Sequence, residues 1–247
     1  MSSTTNRQTA IITGASSGIG LGVAEAYVSR GGNVVLNGRT ESKLQAAAKE
    51  IGPPERVAFV AGDVGLQETG QRLVKTAVDR FGRVDMLLNN AGTFAAKPFT
   101  EYTPEELDQF LSNLRGTYLL SQAVVEPMRK QGGGAIINIT SVLTYRGVQA
   151  IPSSAPMAAK GGIHALTPNL AIELAKDNIR VNAVAPGIIK TPIHGLKDEE
   201  FEKLNGMQPL GRVGEIKDIV DAVLYLADAE FVTGVVLPVD GGVSAGG

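Results

Sequence analysis

Short apolar runs alternate with amphipathic stretches along almost the whole chain, and this pattern leaves few folds open. The runs are Ala10–Ile12, Asn33–Asn37, Val57–Val60, Val84–Leu88, Ala135–Thr140, Ile179–Val184 and Gly234–Val239. A stretch with helical spacing separates each from the next, such as Leu21–Arg30, Leu44 to Ile51 and Leu73 to Phe81. Strands joined through helices cannot pair as hairpins; they pack as right-handed crossovers of a parallel sheet. The expected fold class is therefore α/β, a doubly wound parallel sheet flanked by helices. With 247 residues and 43% hydrophobic content the chain can bury the core of a single domain covering residues 1–247.

Local signals set the element boundaries. Gly31-Gly32, Gly52-Pro53-Pro54 and Gly82 each follow a helical stretch, where glycine and proline terminate helices. Thr103-Pro104-Glu105-Glu106 joins an N-cap threonine, a proline at the first helical position and a capping-box glutamate; it opens a long helix through Phe110, Leu114 and Val124 to Met128. A second long helix is expected from Ser154 to Lys176, and a third from Glu215 to Ala227. Residues 187–213 form an irregular stretch longer than ordinary connections, which makes them a candidate lid over a site. Residues 1–8 are polar and expected to be flexible.

Composition excludes several functions. A formal charge of −2 offers no basic surface for nucleic acid. No window approaches the ~18 consecutive apolar residues of a membrane span, and the polar start carries no signal-peptide core, so a cytoplasmic location away from membranes is expected. The chain has no cysteine, hence no disulfide or thiolate chemistry, and its two histidines, His164 and His194, do not make a metal site by themselves.

Between the first strand and the first helix lies Thr13-Gly14-Ala15-Ser16-Ser17-Gly18-Ile19-Gly20. Glycines at a strand-to-helix turn let the backbone approach a pyrophosphate, and the helix N-terminus presents unpaired N–H groups to it, so the stretch reads as a dinucleotide-binding turn, with a plain tight turn as the simpler alternative. Gly14-Ala15-Ser16-Ser17-Gly18 also fits the G-x-S-x-G pattern of a hydrolase nucleophile elbow. That elbow normally follows several strands, however, and this one follows the first.

Ordered motifs over essentially the whole chain resemble the short-chain dehydrogenase/reductase family and, within it, 3-oxoacyl-carrier-protein reductases and carbonyl reductases. They are Gly14/Gly18/Gly20, Asp63-Val64, Asn89-Asn90-Ala91-Gly92, Asn113, Ser141 at a strand end, Lys160, Pro186-Gly187 and Asp240-Gly241-Gly242. The resemblance implies a Rossmann-like fold and an NAD(P)(H)-dependent oxidoreductase acting on a small carbonyl or alcohol. It places Ser16, Ser17 and Ile19 with the glycines on the cofactor, Asp63 and Val64 at the adenine, and Asn90, Ala91 and Gly92 by the ribose. Pro186 and Gly187 then lie against the nicotinamide, with Ile189 and Thr191 at its carboxamide. It implies as catalytic residues Asn113 as support of a water relay, Ser141 orienting a carbonyl, and Lys160 holding the ribose and lowering the pKa of a tyrosine.

That tyrosine is the point of departure. The family places it four residues before the lysine, where this chain has Pro156. The neighbouring Ser154 is far too weak an acid to replace a phenol of pKa about 10. Tyr145, four residues after Ser141, is a candidate stand-in, with a substrate-facing aromatic as its plainer role. Loss of a positioned acid typically costs about 10² to 10⁴ in rate. Low or atypical activity is therefore expected, or, alternatively, a catalytically inactive nucleotide-binding protein.

At the end of the second strand Gly38 stands where an acidic residue would hold the ribose 2′-hydroxyl, and Arg39 follows. A guanidinium there favours a 2′-phosphate, so NADP(H) is the expected cofactor, with NAD(H) still possible. The two long helices resemble those that pair across subunits in the family, implying a homo-oligomer, most simply a tetramer.

Overall fold

The computed structural model describes residues 8–246. In strand β1 (Thr9–Ile12), Ala10 and Ile12 enter one core and Ile11 the other, as the two-residue period of a strand requires. β2 (Asn33–Gly38) repeats this, with Val34 and Leu36 on one side and Val35 on the other. Both faces of the sheet are therefore covered, which explains strands that read as unbroken apolar runs. Helices α1 (Gly18–Ser29), α2 (Glu41–Ile51) and α7 (Ile216–Asp228) cover the first face, and α3 (Gln67–Phe81), α4 (Pro104–Lys130) and α5 (Ser154–Leu174) the second. Fully buried side chains such as Ile11, Leu36, Leu73 and Val124 anchor the layers, each contributing about 1.5–3 kcal/mol relative to exposure.

With β3 (Val57–Ala61), β4 (Met86–Asn89), β5 (Gly134–Ile139), β6 (Ile179–Pro186) and β7 (Val236–Val239), the strands form one parallel sheet in the order β3-β2-β1-β4-β5-β6-β7. This is the expected Rossmann-like, doubly wound single domain. β1 pairs with β2 on one side and β4 on the other, so the connections leave in opposite directions at the carboxyl ends of β1 and β4. A crevice opens at such a reversal, and that is where ligands bind in folds of this kind.

The Thr103 capping box forms as expected: Glu106 N–H donates to Thr103 Oγ1 at 3.2 Å and Thr103 N–H to Glu106 Oε2 at 3.0 Å. Several boundaries differ. α5 stops at Leu174, not Lys176, and tightens into a 3₁₀ turn before Asn178, whose φ of 56° ends the helix in the left-handed region. β4 begins at Met86, two residues later than expected: the Val84 N–H and carbonyl pair with the Gln131 side chain, and the Asp85 carboxylate accepts from Thr9 N–H and Arg83. β7 likewise begins at Val236 instead of Gly234, whose φ of 80° is not a strand conformation. Residues 187–213 contain the short helix α6 (Asp198–Glu202) between two 3₁₀ turns. Their ends are pinned together by Gly214 N–H to Ile188 O at 2.9 Å and Lys190 N–H to Gly214 O at 2.8 Å. Of the expected flexible start, residues 1–7 lie outside the described residues, whereas Gln8 is tied in through its carbonyl to Asn33 N–H at 2.8 Å.

Candidate active site

At the crevice lies a cleft of about 760 Å³, bounded by the carboxyl ends of β1 to β4, the first half of α4 and the start of the 187–213 segment. Its floor is stitched from β1 and β4. Thr13 Oγ1 accepts from the N–H groups of Asn90 and Ala91, both at 2.9 Å, and donates to Leu88 O; Asn90 Nδ2 donates to Thr13 O at 2.9 Å. Gly14 and Gly18 carry φ of 63° and 59°, where a side chain would be strained. Gly20 is required for a different reason: a Cβ there would lie 2.6 Å from Gly14 O, so the helix packs directly on the turn. α1 then starts from Ser17 with no side-chain cap and no acidic residue in its first turn. Its N-terminal N–H groups and dipole thus face the cleft, ready for an anion.

Gly14, Ser16, Ser17, Gly18, Ile19, Arg39, Asp63, Val64, Asn90, Ala91, Gly92, Asn113 and Thr191 all bound this cleft, brought together from six segments of sequence. Gly20, Pro186, Gly187 and Ile189 do not. Pro186 is buried at the end of β6, and a Cβ on Gly187 would lie 2.8 Å from Asp240 Cα. The Ile189 side chain belongs to the core, so any ligand contact of this residue comes from its backbone.

Ser141 and Lys160 stand beside the cleft, at the carboxyl end of β5 and on α5. Ser141 Oγ accepts from Leu143 N–H at 3.2 Å, which leaves its own hydrogen to donate. Lys160 Nζ donates to Ile139 O at 2.5 Å and lies 3.5 Å from where a Cβ on Gly92 would stand, against the cleft wall. It makes no ion pair among the described residues, and burial pushes its pKa down to about 8. Pro156, one turn earlier, is buried in the first turn of α5, where the N–H it lacks has no intrahelical partner.

Tyr145, the candidate stand-in, has its hydroxyl engaged elsewhere. Its hydroxyl donates to Val236 O at 2.9 Å and its ring packs edge-on against His164, with centroids 5.0 Å apart. Burial and the Asp240 carboxylate raise its pKa, the wrong direction for an acid. His164 is no loose surface residue either, since Nδ1 lies 2.9 Å from Thr144 Oγ1. His194, in the candidate lid, packs edge-on against Phe94 and Phe201, and burial lowers its pKa. Neither histidine bonds Ser16 among the described residues, so Gly14–Gly18 lacks the base of a hydrolase elbow.

The cleft also uses residues that the sequence reading passed over. Lys43, in the first turn of α2, joins Arg39 at the end of β2; both are exposed and without an ion pair among the described residues. Glu105, Gln109 and Ser112 line α4 beside Asn113 at helical spacing, a signal that was available. Thr93 follows Asn90-Ala91-Gly92, and its buried Oγ1 has no hydrogen-bond partner among the described residues. An orphaned hydroxyl of this kind is costly unless a ligand engages it. With the glycine cradle, it fits a nucleotide better than an empty turn.

A doubly wound sheet with a glycine turn at its reversal point defines a dinucleotide-binding α/β protein. Comparison narrows this: the profile of a family described as enoyl-(acyl carrier protein) reductase matches residues 14–244. A short-chain type dehydrogenase/reductase from Mycobacterium marinum, a solved structure, superposes with a TM-score of 0.90 at 30% identity, covering 97% of this chain and 96% of that one. The 1,6-dihydroxycyclohexa-2,4-diene-1-carboxylate dehydrogenase of Pseudomonas putida is 39% identical over 94% of this chain and 91% of its own. The 3-oxoacyl-(acyl-carrier-protein) reductase of Chlamydia muridarum is 36% identical over 99% of this chain and all of its own. The chain belongs to the short-chain dehydrogenase/reductase family, whose members are oxidoreductases binding NAD(P)(H). No helix among the described residues is long and apolar enough to cross a membrane.

Proposed function

We propose that this protein interconverts a small ketone or aldehyde and an alcohol with NADP(H), in the cytoplasm, at a low or atypical rate because residue 156 is proline. In this reading Gly14, Ser16, Ser17, Gly18, Ile19 and Gly20 form the pyrophosphate cradle, Asp63 and Val64 flank the adenine, and Asn90 to Gly92 and Lys160 face the ribose. Pro186, Gly187, Ile189 and Thr191 bound the nicotinamide end, under a lid formed by residues 187–213. The nicotinamide, when bound, supplies or takes up a hydride at the carbonyl carbon.

The chain's own residues do the rest. Ser141 offers its free O–H to the carbonyl oxygen, since Leu143 N–H already occupies a lone pair. Lys160 holds positive charge beside the cleft, and Asn113 orders water on its wall. The developing alkoxide still needs a proton. Pro156 has none to give, and the Tyr145 hydroxyl is committed to Val236 O.

The observation that carries the cofactor preference is the pairing of Arg39 with Lys43 around Gly38, two cations on the cleft wall where a 2′-hydroxyl reader would be acidic. Titration of NADPH and NADH against the protein by nicotinamide fluorescence tests it, and tighter NADH binding refutes it. The loss of the phenol also favours a second reading, a nucleotide-binding protein without catalysis, which a panel of ketones assayed with NADPH separates from the first by any cofactor-dependent turnover.

A homotetramer is part of the proposal. α4 and α5 frame an apolar groove of about 530 Å³ that includes Leu111, Leu114, Tyr118 and Leu166, with Tyr118 52% exposed. Apolar surface of this kind is characteristic of subunit contacts. A monomer by light scattering at micromolar concentration contradicts it.

A further inference from the structure

Pro156, Lys160 and His164 stand four residues apart on α5, hence along one face of that helix. Lys160 stands against the cleft wall, and His164 reaches back to the turn that carries Ser141. Thr144 Oγ1 lies 2.7 Å from Ser141 O and 2.9 Å from His164 Nδ1. The hydroxyl has one hydrogen and two neighbours that can accept it.

Only one assignment leaves no pair of lone pairs face to face. Ser141 O carries no hydrogen, so at 2.7 Å the Thr144 hydroxyl must donate to it. The Nδ1 of His164 must then carry a hydrogen and donate to Thr144 Oγ1. The reverse assignment, with the hydroxyl donating to Nδ1, sets two bare oxygens 2.7 Å apart. Thr144 N–H donates to the same carbonyl at 3.1 Å, and Leu143 N–H to Ser141 Oγ at 3.2 Å, so residues 141–144 form one closed turn. The Tyr145 ring packs against His164, and its hydroxyl, fixed on Val236 O, holds that ring in place.

We propose that His164 is a positioning residue: as the Nδ1–H tautomer it donates through Thr144 to the Ser141 carbonyl, locking the turn that aims the Ser141 hydroxyl at the substrate oxygen. The inference rests on the oxidoreductase reading of the site. It adds a residue that touches neither substrate nor cofactor and acts through two others. A serine freed from this turn loses the Leu143 N–H contact that fixes its oxygen, and misplacement of a reacting group on the ångström scale costs about 10²-fold.

Nitrogen-15 NMR of the full-length protein at neutral pH reads the tautomer of His164 directly, with His164→Asn used to assign the signal. An Nδ1–H tautomer is expected, and an Nε2–H tautomer overturns the proposal whatever the activity. Kinetics give the second readout, in the unmodified protein and in Pro156→Tyr. His164→Ala should lower ketone kcat at least tenfold with NADPH affinity unchanged. His164→Asn, whose Nδ2 branches from Cγ as Nδ1 does, should recover most of that loss; His164→Gln, with its donor one bond further out, should not. Equal kcat in His164→Ala and the parent, or no difference between Asn and Gln, overturns the positioning role. If neither parent turns over any ketone while the Nδ1–H tautomer is found, the oxidoreductase reading falls and only the hydrogen-bonded turn survives.

Discussion

Replacing Arg39 by alanine should weaken NADPH binding about tenfold and leave NADH binding unchanged. Arg39 and Lys43 bound the cleft at the end of β2, exposed and with no carboxylate paired to either among the described residues. Their charge is therefore free for a 2′-phosphate, without a competing ion pair to break. A charge-assisted hydrogen bond is worth roughly 1.5–3 kcal/mol, or about 10- to 100-fold in affinity. Solvent exposure puts Arg39 at the low end of that range and makes the effect salt-dependent, because the Debye length shrinks from about 10 Å at 0.1 M salt to about 3 Å at 1 M. The double variant Arg39→Ala/Lys43→Ala should approach 10²-fold, since both cations address one phosphate. Fluorescence titration of both cofactors at low and high salt gives all of these values. An unchanged NADPH affinity in Arg39→Ala, or an equal loss for NADH, refutes the assignment of this corner to a 2′-phosphate.

Two further outcomes follow from the site. Gly14→Ala should destabilise the fold by about 1–3 kcal/mol and abolish cofactor binding, because its φ is 63° and the added Cβ meets Asn90 Nδ2 at 2.8 Å; denaturant melts and titration check this. The Lys160 ammonium, with its pKa pushed down to about 8 from an ordinary value of 10.5, is lost as pH rises through about 8, so cofactor affinity should fall between pH 7 and 9. Between pH 8 and 10.5 the unfolded chain binds the extra proton, so this group makes stability rise with pH there, and Lys160→Met should remove both dependences.

Features set by local chemistry were legible in the sequence. The apolar runs of β1 and β2, the Thr103 capping box and the glycine turn depend on residues a few positions apart, and each appears in the structure. Most of the cleft wall was named another way, through motifs that resemble those of the family, many of them at strand ends. Features set by tertiary contact were not. α6 is held between the pinned ends at Ile188 and Gly214, and a five-residue helix has no periodicity of its own to read. Tyr145 shares a loop with Ser141, yet its direction is decided by Val236, 91 residues away. The contact of His164 was not legible, because its partner Thr144 lies 20 residues earlier, across a loop. The α4 face beside Asn113 was within reach, since helical spacing marks it.

The central claim is that a cofactor site and a carbonyl-orienting serine are intact while the proton donor is missing. Pro156 sits one turn before Lys160 in the first turn of α5, where a side chain can be exchanged without loss of a helix hydrogen bond. The most direct measurement is the NADPH-dependent kcat on a panel of ketones for the unmodified protein and for Pro156→Tyr, with cofactor affinity measured alongside. The unmodified protein should bind NADPH and turn over slowly, and Pro156→Tyr should raise kcat by about 10² or more at similar cofactor affinity. An unmodified protein that reduces the panel at typical enzyme rates, and keeps them in Tyr145→Phe, would contradict the account.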